Sequence, residues 1–224
     1  MMPRIDDLAR LHRLVRQRLC QTVLEFGVGC STVVIADALA KNEADYRAML
    51  SPPRLRNRNA FRLFCVDTSA YWIDVARGRL ISSLQPRVDF TLSRVTTGTF
   101  NGRLCHYYKK LPNVVADFIY LDGPASSDIE GDINGLDFSI DERTVAAADI
   151  LLMESTLLPN TFILVDGRAN NARFLERNFQ RPFHRQYDSD GDITTFELVE
   201  PPLGKRQAGA NTAWDRSFQA SAPR

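Results

Sequence analysis

The sequence predicts an α/β fold: a mostly parallel sheet with helices on both faces, closed by a C-terminal antiparallel hairpin. Three observations predict it. Short apolar runs at 22–26, 61–67, 88–95, 116–122 and 161–167 alternate with helix-like segments, the pattern of parallel strands joined by crossovers. Three of the runs close on an acid, Asp67, Asp122 and Asp166, which lines carboxylates along one edge of the sheet. Near the end, 183–188 and 193–199 flank Asp190-Gly191, a good hairpin turn.

Ile5, Leu8, Leu11, Leu14 or Val15, and Leu19 recur at helical spacing, so 4–19 should be an amphipathic helix packed beside the first strand. Val23, Leu24 and Phe26 make that strand. Gly27 and Gly29 allow a tight turn and close backbone approach, and Ser31 can cap the helix carrying Val33, Val34 and Ala38. The polar stretch 41–60, with Pro52-Pro53 and Arg54, Arg56 and Arg58, reads as a loop or irregular insertion. The second strand is 61–67, and Thr68 or Ser69 caps a helix reaching residue 84. A third strand, 88–95, leads into a Thr96-Thr97-Gly98 turn. Residues 101–110 supply an extra hairpin strand or a ligand-facing loop, and their lone His106 among aromatics reads as structural.

The run 116–124 is a strand ending in Asp122 with a turn-forming Gly123-Pro124. An acidic loop follows, carrying Asp128, Glu130, Asp132, Asp137 and Asp141. Its segment EGDINGLDFSID is superficially like a calcium loop, but Glu130 replaces the first Asp, Asp141 the terminal Glu, and no helix pair flanks it. Residues 142–157 should form a helix broken by Pro159, 161–167 a strand and 170–179 a further helix. The chain thus divides into a helix at 1–20, one domain at 21–200 and a flexible tail at 201–224, whose large apolar residues are few, Trp214 and Phe218 excepted.

With 224 residues, the chain suits one domain able to bury a sizeable core. Twenty-eight Lys and Arg balance twenty-seven Asp and Glu, a net charge of +1, so no basic field points to nucleic acid or an anionic membrane; the partner should be small. Cys20, Cys30, Cys65 and Cys105 form no C-x-x-C pair and read as reduced thiols. The Arg-rich first twenty residues lack the apolar core of a signal peptide or membrane span, so a cytoplasmic protein is expected.

The glycine turn, EFGVGCST, narrows the cofactor. Glu25 stands two positions before Gly27, where it would repel a pyrophosphate, and Thr32 occupies the place of a dinucleotide fingerprint's third glycine. The insertion also stretches the distance to Asp67 well past the ~20 residues usual in dinucleotide-binding units. S-adenosylmethionine (SAM) has no phosphates and carries a cationic amino group and a sulfonium, which suit a carboxylate at this point. The turn resembles motif I of class I SAM-dependent methyltransferases, and ADFIYLDGP resembles their motif IV. The element order agrees over about residues 20–199, so the resemblance implies a Rossmann-like class I methyltransferase sheet.

It further implies SAM as cofactor, its methionine end held by Glu25, Gly27, Gly29, Cys30, Ser31 and Thr32, and its ribose by Asp67 with Thr68 beside it. Ser93 to Thr96 would flank the adenine, and Asp122 would reach the transferred methyl. An N-cap role for Asp67 is the alternative, compatible with the first. Trp72 resembles the Trp after this acid in related sugar and small-molecule methyltransferases; core packing is its other reading. The implied activity is O-methylation of a small-molecule or sugar hydroxyl. Asp122 is the candidate base and Asp166 a second catalytic candidate, with a helix-cap or turn role as its alternative.

In cation-dependent O-methyltransferases acids at these two strand ends help hold a divalent metal. Here Gly167 stands where Asn or Asp often follows the second acid, so Asn170 or Asn171 would have to reach back. Metal-free catalysis therefore ranks first, and no metal ligand is assigned. The acidic loop reads as a mobile acceptor-side segment, and the Arg54–Arg58 cluster as a solvated or substrate-facing one. The oligomeric state stays open, a dimer included. The rival functions are an NAD-linked oxidoreductase and a noncatalytic adenosyl-binding protein.

Overall fold

The structure, a computed structural model, describes residues 4–52, 55 and 57–201. Pro53, Arg54 and Arg56 of the insertion, and the tail at 202–224 with Trp214 and Phe218, lie outside the described residues.

In chain order the elements are α1 (Ile5–Gln17), β1 (Thr22–Phe26), α2 (Cys30–Ala48), β2 (Arg62–Asp67), α3 (Ala70–Arg79), β3 (Val88–Leu92), β4 (Val95–Phe100) and β5 (Arg103–Tyr108). There follow β6 (Phe118–Leu121), β7 (Ile129–Glu130), α4 (Asp149–Met153), β8 (Phe162–Asp166), α5 (Ala169–Asn178), β9 (Phe183–Asp188) and β10 (Ile193–Leu198). Seven strands form the main sheet in the order β3-β2-β1-β6-β8-β10-β9. All neighbours pair in parallel except β10, which is antiparallel to both β8 and β9. The chain builds outward from β1 to β3, then returns to β6 on the other flank of β1. That reversal creates a crevice beyond the carboxyl ends of β1 and β6, where open α/β sheets bind ligands.

Strand alternation divides the core in two. Val23, Leu63, Cys65 and Phe118 face one side, where Leu11 and Val15 of α1 and Ile35 and Leu39 of α2 cover them. Leu24, Phe26, Ile119 and Leu121 face the other, under α4, α5 and a small sheet in the order β5-β4-β7.

Several elements differ from the expected ones. The insertion was expected to begin at Lys41, but α2 continues to Ala48 because its polar residues face α1. The buried Asn42 Nδ2 donates to the carbonyls of Val15 and Cys20, while Arg16 binds the Asn42 carboxamide oxygen and pairs with Asp45 at 2.7 Å. So α1 docks chiefly on α2 rather than directly on β1. The Thr96-Thr97-Gly98 turn is instead strand, paired antiparallel with Tyr107, His106 and Cys105; a Cβ on Gly98 would sit 3.0 Å from the Tyr107 ring. The helix expected at 142–157 is reduced to α4 and a 3-10 turn at Glu154–Thr156. The preceding backbone is spent on β5, with the His106 amide donating to Ala146 and the Ala148 amide to His106. Ser31 lies inside the first turn of α2 rather than at its N-cap, which is Gly29; the Thr32 hydroxyl accepts from the Gly29 amide at 3.1 Å. Ser69, not Thr68, caps α3, and α3 ends at Arg79, short of residue 84.

At the reversal point the turn after β1 meets the turn after β6. A Cβ on Gly123 would lie 2.9 Å from both Cα and N of Gly27, and one on Gly27 would lie 3.1 Å from the Gly123 nitrogen. Gly27 also has φ +88, a left-handed conformation suited to glycine. Gly123→Ala should therefore destabilise the domain by about 1–3 kcal/mol, the usual cost of forcing extra carbon into packed structure. Urea unfolding would read this as a lower midpoint, and an unchanged midpoint would show that the turns separate freely.

Candidate active site

The crevice is ringed by the carboxyl ends of β1, β2, β6 and β8, each with its acid. Glu25 is fully buried on the α2 face, in register with Cys65 and Tyr120 of the flanking strands. Its Oε2 accepts from the Thr32 hydroxyl at 2.8 Å and from the Cys65 thiol at 3.1 Å, whereas Oε1 has no partner among the described residues. Desolvation pushes its pKa up to about 7, against the pull of the nearby Ser31 hydroxyl and of the hydrogen bonds from Thr32 and Cys65. Glu25 thus lies beneath the glycine turn and braces it through Thr32.

Asp67, nearly buried, ties the same turn to β2. Its Oδ2 accepts from the Val28 amide and its Oδ1 from the Ser69 amide, both at 2.8 Å. Each oxygen keeps a lone pair for one further donor. Thr68 donates to Asp128 at 2.8 Å, which fastens the acidic loop to this end of β2. Ser93 is buried, its hydroxyl accepting from the Lys110 amide and donating to the Arg94 carbonyl. Cys30, at the first position of α2, accepts from Arg79 at 3.3 Å. Trp72 is not in the core: it is exposed at the start of α3, edge-on to Tyr71 at 5.1 Å.

Asp122 and Asp166 stand on adjacent strand ends, joined by a residue that strand alternation alone does not single out. The hydroxyl of buried Tyr120 donates to Asp166 Oδ2 at 2.5 Å and lies 3.5 Å from Asp122 Oδ2. Burial and the two carboxylates hold the Tyr120 phenol protonated, far above its ordinary range. Asp122 keeps a half-exposed side chain at the rim. Desolvation pushes it up to about 6; Arg168, with Nε 3.9 Å from Oδ1, pulls it down, and Asp166 pushes it up.

Arg168 also donates to the carbonyls of Asp122 at 2.7 Å and Pro124 at 2.8 Å, clamping the turn after β6. Tyr120 and Arg168 escaped the sequence reading, which took Gly123 only as a turn former. Tyr120 shares Glu25's face by register, and Arg168 follows Asp166-Gly167 directly, so the positions carried a signal although the contacts did not. Asn171 does not reach back to the acids: its side-chain oxygen accepts from the Ala147 amide. Nearby His106 is buried, and its pKa is pushed down to about 3, by burial first and by Arg168 second, so its ring is neutral. Among the described residues no group of three or more His, Cys, Asp or Glu is placed to hold a metal ion, and no helix is long and apolar enough to cross a membrane. All four cysteines are free thiols.

No protein-family model matches this sequence, and no curated protein matches it. Solved structures do resemble it. The O-methyltransferase TomG from Streptomyces achromogenes, involved in tomaymycin synthesis and determined with SAM, is 17% identical over 90% of this chain and 82% of its own, with a TM-score of 0.49. A methyltransferase from Geobacter sulfurreducens is 16% identical over 89% of this chain and 81% of its own, with a TM-score of 0.51. At such identity the likeness to the Geobacter protein is one of fold: this chain has the α/β, Rossmann-like methyltransferase fold.

The Glu25 environment generates a stability prediction. Its folded pKa of about 7 stands above the ordinary 4.5, so its contribution is intact below the ordinary value and is lost as pH rises through about 7. The loss amounts to roughly 3 kcal/mol at most. Buried Asp149 and half-buried Asp117, raised to about 7 and about 6, act in the same direction. Thermal melts of the wild type should therefore fall between pH 5 and pH 8, and Glu25→Gln should flatten that fall. A variant that keeps the full wild-type slope would remove Glu25 from the account.

Proposed function

We propose that this chain is a SAM-dependent methyltransferase acting on a hydroxyl of a small molecule, with residues 21–200 as the catalytic unit. The observation that carries the reading is the buried Glu25 carboxylate beneath the glycine turn, with one oxygen unpartnered among the described residues. Negative charge there opposes a pyrophosphate and favours a cationic ligand group, which separates SAM from a nicotinamide dinucleotide. The fold shared with the Geobacter methyltransferase supports it. The free cysteines support a cytoplasmic setting.

When bound, SAM would supply an electrophilic methyl group on a sulfonium. Gly27, Gly29, Cys30, Ser31 and Thr32 form the floor under its methionine end, with Glu25 bracing them. Asp67 offers its two remaining lone pairs to the ribose hydroxyls. Asp122, at the rim, takes the proton of the acceptor hydroxyl as the nucleophile is aligned for in-line displacement. Asp166 has a different part: it holds the Tyr120 hydroxyl, and its negative charge raises the proton affinity of Asp122. Arg168 opposes that effect and fixes the backbone from which Asp122 projects.

Melting-temperature screens with SAM, S-adenosylhomocysteine and NAD(P) test the cofactor directly, since a ligand of the native state raises the melting point. Stabilisation by NAD(P) alone would sink the proposal. Asp67→Ala should weaken SAM binding about ten- to a hundredfold in calorimetry, the loss expected for hydrogen bonds to a charged group; unchanged affinity in the folded variant would overturn the ribose role.

With an acceptor found, kcat/KM should rise with pH through about 6 as Asp122 ionises. Asp122→Asn should cost on the order of 10²–10⁴ in rate. Full activity of Asp122→Asn would exclude it as base. Loss of wild-type activity in EDTA, restored by Mg²⁺, would instead make Asp122 and Asp166 metal ligands.

A further inference from the structure

On the face covered by the small sheet, a groove of about 460 Å³ runs between α5, the start of β5 and the segment that leads into α4. Arg103, Arg143, Arg173 and Arg177 line it, with Phe138 and Phe174 as apolar wall, and no acidic residue is among its lining. This is unlike the rest of the surface. Eleven other described arginines pair with carboxylates, whereas none of these four makes an ion pair among the described residues. Arg4, Arg13, Arg58 and Arg79 share that condition but do not line the groove.

Two of the four side chains are held in place. Arg103 Nη1 donates to Asn178 Oδ1 at 3.2 Å, and Arg143 donates to the carbonyl of Asp137. The Asp137 carboxylate does not neutralise Arg143 at contact distance, because it turns back to accept from the Ser139 amide at 3.0 Å and hydroxyl at 2.8 Å. Arg173 and Arg177 stand four residues apart on α5, so they share one helix face, where like charges repel. Four guanidinium groups in one concavity are stabilised by an anion that takes several of them at once. A phosphate, with its oxygens matched to the guanidinium fork, does this better than a monovalent ion.

We propose that this groove binds the phosphate group of a small phosphorylated molecule, whose organic part lies against the partly exposed Phe174 and Leu104. The site is independent of the crevice and stands whether or not the crevice binds SAM. Nucleic acid fits it poorly. The chain's net charge is only +1, and the loop that supplies Phe138 and leads to Arg143 also exposes Asp132, Asp141 and Glu142, which would repel a continuing phosphodiester backbone.

The test is a set of thermal melts of the full chain with inorganic pyrophosphate, citrate or sodium chloride at matched ionic strength. Wild type, Arg173→Gln/Arg177→Gln and, as a control outside the groove, Arg4→Gln would be compared. Pyrophosphate should raise the melting temperature of wild type and of Arg4→Gln by about 2–4 °C. The double variant should lose most of that rise. An equal rise in the double variant would overturn the site, as would an equal rise of wild type with chloride; an equal rise with citrate would overturn the phosphate assignment. If the double variant does not fold, calorimetry of pyrophosphate binding to Arg177→Gln replaces it. Affinity should then fall on the order of tenfold, and unchanged affinity would again overturn the proposal.

Discussion

Two backbone turns touch at the centre of this molecule, and the positions of Glu25 and Asp122 in the crevice follow from that contact. Gly27 and Gly123 approach so closely that neither can carry a side chain without displacing the other's main chain. The β1–β6 pair is also tied at its opposite end, where the half-buried Asp117 carboxylate accepts from the Gln21 and Thr22 amides at 2.8 and 3.0 Å. Held at both ends, the two strands cannot slide, so Glu25 stays level with Tyr120 and the Asp122 amide reaches the Phe26 carbonyl at 3.0 Å. A shift of one residue would move Glu25 to the opposite face and away from Thr32.

Given that scaffold, four carboxyl groups share one edge of a sheet, an arrangement that is costly unless each is treated differently. Asp67 takes two backbone amides. Asp166 takes the Tyr120 hydroxyl. Glu25 is desolvated until its charged and neutral forms are near balance at neutral pH, and Asp122 is left at the rim with a raised pKa and a guanidinium at 3.9 Å. Neighbouring acids whose environments separate their proton affinities can divide roles between structure and proton transfer.

Much of this edge was legible in the sequence. Strand runs ending in Asp67, Asp122 and Asp166, and the spacing of Gly27 and Gly29, depend on local rules that one stretch of chain obeys by itself. The misread elements depend on distant partners. Residues 41–48 are polar and look like loop, yet Asn42 and Asp45 are polar because α1 presents carbonyls and Arg16 to them. Residues 142–148 have helical composition, yet their backbone pairs with His106, forty residues upstream. Tyr120 could be placed on a face but not at a distance from Asp166, since that distance is set by the register of β6 on β8.

The same division separates the two sides of the candidate active site. The side built from β1, β2 and their turns, where the proposal places the cofactor, is regular structure, and its residues stand at positions that any chain of this topology must fill. The opposite side is built from the β4–β5 hairpin, the acidic loop fastened by Thr68 to Asp128, and the segment that ends in α4. Those pieces replace regular crossover helices. Their shapes come from long-range contacts such as the Thr97 hydroxyl on the Gly131 carbonyl and the Ala147 amide on the Asn171 side chain. On the proposed function, selectivity for an acceptor would then reside in the least periodic part of the chain, where pattern reading has least to work with and where contacts between distant residues decide what a ligand meets.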